Sequence, residues 1–129
     1  MREGRSDANV VLEGDDEWDT FHLAAVDDDL TTVGVVTFLE RECPARPGVH
    51  PARQLRGMAV AADRQGTGIG ASLLRAGLDR CRAEGAAVVW AHARVTAVSW
   101  YEAHGMSAEG DVYIFGDVHL PHRLVVADL

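Results

Sequence analysis

Apolar residues concentrate in short runs whose period changes along the chain. Phe21-His22-Leu23-Ala24-Ala25-Val26 and Val33-Gly34-Val35-Val36-Thr37-Phe38-Leu39 are of strand length, and the second is rich in β-branched residues. Asp27-Asp28-Asp29 between them predicts a turn, so the pair reads as a hairpin. Cys43 to Pro51 holds three prolines and a glycine, which a ladder does not tolerate, and reads as a loop. Gln54 to Val60 predicts the next strand. From Ile69 onward the period becomes helical. Ile69, Leu73, Leu74, Gly77, Leu78 and Cys81 share one stripe, while Arg75, Asp79, Arg82 and Glu84 take other faces. Gly85 is placed to stop that helix. Val88 to Ala91 predicts a short buried strand. Thr96 predicts the cap of a second helix running to about His104 and ended by Gly105. Val112 to Phe115 and Leu124 to Val126 predict the last strands, with a turn over Gly116 to Pro121. Strands alternating with helices predict an α/β domain, one sheet packed by helices. The N-terminal stretch to Asp19 is polar, and residues 1–13 read as a flexible lead.

Composition narrows the class. With 129 residues, 47% hydrophobic and 25% charged, the chain has the proportions of one ordinary globular domain. A net charge of −8 argues against nucleic acid, whose phosphates are met by clustered cations. No apolar run is long enough to span a bilayer, and the first residues lack the apolar core of a signal peptide. Two isolated cysteines, Cys43 and Cys81, are too few for a disulfide framework and predict reduced thiols in a cytoplasmic protein. The histidines lack zinc-ligand spacing, so no metal is expected. All 12 basic residues are arginine, which together with abundant alanine and valine suits a GC-rich bacterial genome. Acidic residues crowd the early chain from Glu13 to Asp19 and again at Asp27 to Asp29. They read as a solvated face and a turn, or as a rim that attracts a cationic amine.

One segment carries chemistry directly. Arg64-Gln65-Gly66-Thr67-Gly68-Ile69-Gly70-Ala71 lies between a strand and a helix. Alternate glycines permit close backbone approach, and the first amides of a helix have no internal acceptor, so the place suits a phosphate. Two common nucleotide sites do not fit. A nucleoside-triphosphate loop ends in Gly-Lys-Ser/Thr, and this chain has no lysine. A dinucleotide fold needs G-x-G-x-x-G and an acid after the next strand, whereas here Gly66-x-Gly68-x-Gly70 is followed by a strand running into His92.

Gln65-x-x-Gly68-x-Gly70 resembles the Q/R-x-x-G-x-G/A loop of the GNAT superfamily of N-acetyltransferases. Ser99-Trp100-Tyr101-Glu102-Ala103-His104-Gly105-Met106 is similar to the family's helix ending, and Pro121-His122 to a pair before its last strand. The resemblance spans Asp15 to Leu129. It implies a mixed, mostly antiparallel central sheet flanked by helices, with the first strand and helix region reduced or missing. Ala8 to Leu12 is all that remains for that strand. It also implies acetyl-coenzyme A as cosubstrate, a small-molecule or peptide amine as acceptor, and direct transfer in a ternary complex. A coenzyme-A-binding module without transferase activity is the main alternative; a nucleotide-binding regulatory domain is another.

The resemblance assigns cofactor contacts to the loop residues Arg64 through Ala71 and to Met58-Ala59-Val60, whose backbone would stabilise the oxyanion. Arg94 joins them with a weaker claim on the pyrophosphate. Tyr101 is the expected proton donor to the departing thiolate; the plainer alternative is a core aromatic beside Trp100. His92 is a candidate base, with His22, His122, Glu17, Glu109 and a water chain as rivals. Finally, without a first strand Phe21 to Val26 would expose a bare edge, which predicts a homodimer, unless Ala8 to Leu12 folds back to cover it.

Overall fold

A computed structural model describes residues 9–12, 20–115 and 119–129. Among the described residues, seven strands form one sheet: β1 (Asn9–Leu12), β2 (Thr20–Val26), β3 (Thr32–Glu40), β4 (Ala52–Val60), β5 (Val88–Arg94), β6 (Ser107–Phe115) and β7 (Leu120–Asp128), ordered β1-β2-β3-β4-β5-β7-β6. All neighbours are antiparallel except β4 and β5. Helix α1 (Ile69–Ala83) makes the crossover between those two, as a parallel pair requires, and α2 (Val98–Ala103) precedes the terminal hairpin. The α/β expectation with a mostly antiparallel sheet holds.

Parity along the strands divides the interior in two. On β5 and β7, Val89, Ala91, Ala93, Val125 and Ala127 join the main core beneath α1. Val88, Trp90, Leu124 and Val126 point the other way, into a smaller core closed by the proline loop through Cys43. Both faces of these strands are therefore buried from Val88 to Ala91 and from Leu124 to Ala127, which explains the unbroken apolar runs there. The α1 stripe docks through Ile69, Leu73, Leu74, Gly77 and Cys81, with Leu78 only half-buried. Gly77 lies under Phe38, which stacks on Phe21 at 5.0 Å.

Several expectations change. The segment read as a flexible lead contributes β1, antiparallel to β2 with Asn9 opposite Val26 and Leu12 opposite Leu23. The remainder of residues 1–13 lies outside the described residues. β1 covers the edge from Leu23 to Val26, so the bare edge that motivated a homodimer is largely occupied. Thr96 does not cap the second helix. It sits inside a 3-10 turn, Val95–Ala97, whose helical backbone is incompatible with the extended Ncap geometry; α2 starts at Val98 without a side-chain cap. β6 and β7 are longer than their apolar cores. β6 is an edge strand, so Glu109 and Asp111 need no burial and no apolar alternation marks it. β7 begins at Leu120, so Leu120 and Pro121 belong to the strand and not to the expected turn; residues 116–118 of that turn lie outside the described residues.

Candidate functional site

Two features of β4 open the sheet. Pairing with β5 lasts for only three residue pairs, Ala52–Val88 through Gln54–Trp90, after which the strands diverge. On the other side, the β3 register slips between Val35–Ala59 and Thr37–Arg56, so two residues of β4 oppose one of β3. Gly57, at φ +67°, occupies this bulge. The result is a free strand edge beside a split in the sheet.

A cavity of about 750 Å³ lies on the helix side. Its walls are Met58-Ala59-Val60 of β4, the glycine loop, the start of α1, and Trp100, Tyr101 and His104 near α2. Gly66 and Gly68 take φ of +81° and +90°, the left-handed region that favours glycine. Gly70 is helical; a Cβ there would make ordinary contacts with Trp100 at 3.4 Å and Val60 at 3.9 Å, so its absence leaves room in the cavity rather than relieving strain. The first bond of α1 runs from Ser72 N–H to Gly68 carbonyl, so the amides of Ile69, Gly70 and Ala71 precede the helical ladder.

Not every predicted cofactor residue joins this wall. Arg64 does, with its guanidinium paired to Asp27 at 2.9 Å. Gln65 ties the loop to β4 by donating from Nε2 to the Val60 carbonyl at 3.2 Å. Thr67 turns back and donates to the Arg64 carbonyl, bracing the loop instead of lining the cavity. Arg94, at the end of β5, lines a different cavity, because the diverging strand carries it away from the glycine loop.

That second cavity, about 940 Å³, passes through the split. It reaches the sheet face opposite the helices, where Gln54, Arg56, Trp90, His92 and Arg94 follow one another by strand parity. The two cavities share Met58, Gln65, Ala97 and Tyr101. Tyr101 thus stands at their junction. Trp100 meets it edge-on at 5.1 Å and itself stacks on His104 at 4.4 Å. Burial pushes the Tyr101 phenol above its ordinary pKa, keeping it protonated.

His92 lies within β5 and hydrogen-bonds through Nδ1 with the Tyr113 hydroxyl at 2.7 Å, while Phe115 stacks on its ring at 3.9 Å. Burial, and then nearby His122, lower its pKa, so the imidazole is neutral at neutral pH. His122 donates Nδ1–H to the Leu120 carbonyl at 2.7 Å. The other rivals fall away from the site. His22 pairs with Thr37 at 2.8 Å on β2. Glu109 binds Arg46 at 2.7 Å, together with Asp128. Glu17 lies outside the described residues. Both cysteines are buried, and Cys81 is pushed up to about 12 by burial, which suits neither for nucleophilic attack. Sequence reasoning passed over Tyr113 and Phe115. Their only signal was alternate spacing on one face of β6, opposite His122 and Leu120.

The acetyltransferase (GNAT) family model matches residues 2–106, and the chain belongs to that family. No curated protein matches it. Solved structures share the fold. An IAA acetyltransferase from Bacillus cereus is 18% identical over 94% of this chain and 100% of its own, with a TM-score of 0.72. A spermidine N-acetyltransferase mutant from Vibrio cholerae is 18% identical over 88% of this chain and 68% of its own, TM-score 0.72. A NatC complex bound to Gag peptide and CoA is 16% identical over 84% of this chain and 70% of its own, TM-score 0.73. No helix among the described residues is long and apolar enough to cross a membrane.

Proposed function

We propose that this chain transfers an acetyl group from acetyl-coenzyme A to a primary amine in a ternary complex. The observation that carries the reading is the position of Tyr101, on the wall common to a glycine-loop cavity and a cavity through the sheet. The first cavity fits the cofactor: paired left-handed glycines and free helix-start amides suit the pyrophosphate, and the β4 edge suits an amide-containing arm. The second is open to the acceptor from the opposite face.

Each residue then has a task. Neutral His92 takes a proton from the attacking amine, with Tyr113 steadying its ring. Backbone N–H groups near Met58 and Ala59 stabilise the oxyanion. Tyr101 donates its phenolic proton to the sulfur as the carbon–sulfur bond breaks, and regains one from solvent. With two buried thiols, an acyl-cysteine intermediate has no support. Tyr101→Phe tests the reading. Its hydroxyl has no hydrogen-bond partner among the described residues, so the variant should fold normally and bind coenzyme A as before. Turnover, followed by free-thiol release, should fall roughly 10²-fold or more. Undiminished turnover would make Tyr101 a packing residue. Calorimetry that detects no coenzyme A binding to the parent protein would remove the reading altogether.

A further inference from the structure

The second cavity has a charge bias that the overall acidity of the chain does not suggest. Arg41, Arg56 and Arg94 line it, and no carboxylate among the described lining residues opposes them. The other arginines that ion-pair, such as Arg46, Arg64 and Arg80, do so elsewhere on the fold. Arg41, Arg56 and Arg94 make no ion pair among the described residues. Gln54, only 7% exposed, also lines this cavity. The floor between is aromatic: His92 meets Trp90 edge-on at 5.2 Å and stacks on Phe115 at 3.9 Å.

Resting on the acetyl-transfer reading, we propose that the acceptor is an amine that itself carries an oxyanion, a carboxylate or phosphate. Arg41, Arg56 and Arg94 hold the oxyanion at the cavity mouth. A guanidinium suits either oxyanion through paired N–H donors. A polyamine is disfavoured by the same wall, because three cations meet it with no counter-charge among the described lining residues.

Matched acceptors read the inference directly. Phenylalanine is compared with phenethylamine, and O-phosphoethanolamine with ethanolamine, as kcat/KM corrected for the free-amine fraction; spermidine serves as the cationic contrast. The anionic member of at least one pair should be preferred by about 10-fold or more, the scale of one charge-assisted hydrogen bond. Which pair shows the preference distinguishes carboxylate from phosphate. In an R41Q/R56Q variant the ratio should shrink toward one with coenzyme A affinity unchanged. Equal rates within both pairs, or a preference for spermidine, overturns the inference. So does a fall in coenzyme A affinity in the variant, which would assign these arginines to the cofactor. Binding gives a readout that does not depend on turnover. In the preferred pair the anionic product should bind the protein, with or without coenzyme A, at least about 10-fold more tightly than the uncharged one: N-acetylphenylalanine against N-acetylphenethylamine, or N-acetyl-O-phosphoethanolamine against N-acetylethanolamine. If neither anion binds, the inference fails even where coenzyme A binds. If the anion binds but coenzyme A does not, the transfer reading fails instead.

Discussion

Gly77→Ala adds a single methyl where the packing of α1 has no room for one. A Cβ on residue 77 would stand 2.1 Å from Phe38 Cζ and 2.2 Å from Cε1. Ordinary carbon contacts lie at about 3.5–4.0 Å, so helix and ring must separate by roughly 1.5 Å. Phe38 is fully buried and its ring is stacked on Phe21, which limits its retreat. Overpacking of this kind costs about 1–3 kcal/mol. Alanine returns up to about 1 kcal/mol in helix propensity. An approach of 2.1 Å to a buried ring places the cost in the upper part of that range, about 2–3 kcal/mol, so the net expectation is a loss of about 1–2 kcal/mol, or roughly 3–10 °C in Tm for a domain of this size. Thermal and urea unfolding followed by circular dichroism measure it. Gly70→Ala is the internal control: it lies in the same helix, but its Cβ would meet only an ordinary contact at 3.4 Å. It should leave stability unchanged or slightly raised. Combining Gly77→Ala with Phe38→Leu should recover part of the loss to overpacking, less the cost of the smaller side chain. A Gly77→Ala protein as stable as its parent would refute the packing argument. The point bears on function, because α1 seated too high would carry the glycine loop away from β4.

Three further outcomes are expected. Gly68→Val forces a branched side chain into φ +90°, at the helix cap, and should weaken coenzyme A binding by at least about 10-fold in calorimetry while the protein stays folded. If His92 is the base, its neutral form is required and its pKa is lowered, so activity should fall only as pH drops below the usual histidine range; His92→Asn should lower the rate and remove that acid limb from the kcat/KM profile. Arg46 holds the carboxylates of Glu109 and Asp128 below their ordinary pKa, so their contribution to stability is present above about pH 4 and is lost as pH falls through the lowered values. Arg46→Gln should therefore reduce stability at neutral pH and flatten its fall with acid, in unfolding curves recorded at several pH values.

The alternation of apolar runs and the change of period at Ile69 determined most of the elements, because strand and helix periods are local properties of the chain. The glycine loop was legible for the same reason: its backbone angles and free amides belong to a few consecutive residues. Tyr101 was legible only through resemblance, since nothing local separates a proton donor from a packed ring. Tertiary structure alone decided the rest. That β5 leaves β4 after Gln54, and that a bulge at Gly57 turns the strand there, depends on pairing between distant segments. Asn9 to Leu12 became a strand because β2 offered an edge to pair with, not because their own pattern was strong. Arg94 and Arg64 look alike in sequence, yet the split in the sheet sends one to each cavity. The meeting of those cavities at Tyr101 joins a residue of α2 to residues more than thirty positions earlier on β4 and in the glycine loop. No periodicity records such a contact, because it arises only when the sheet opens and the helix closes over the gap.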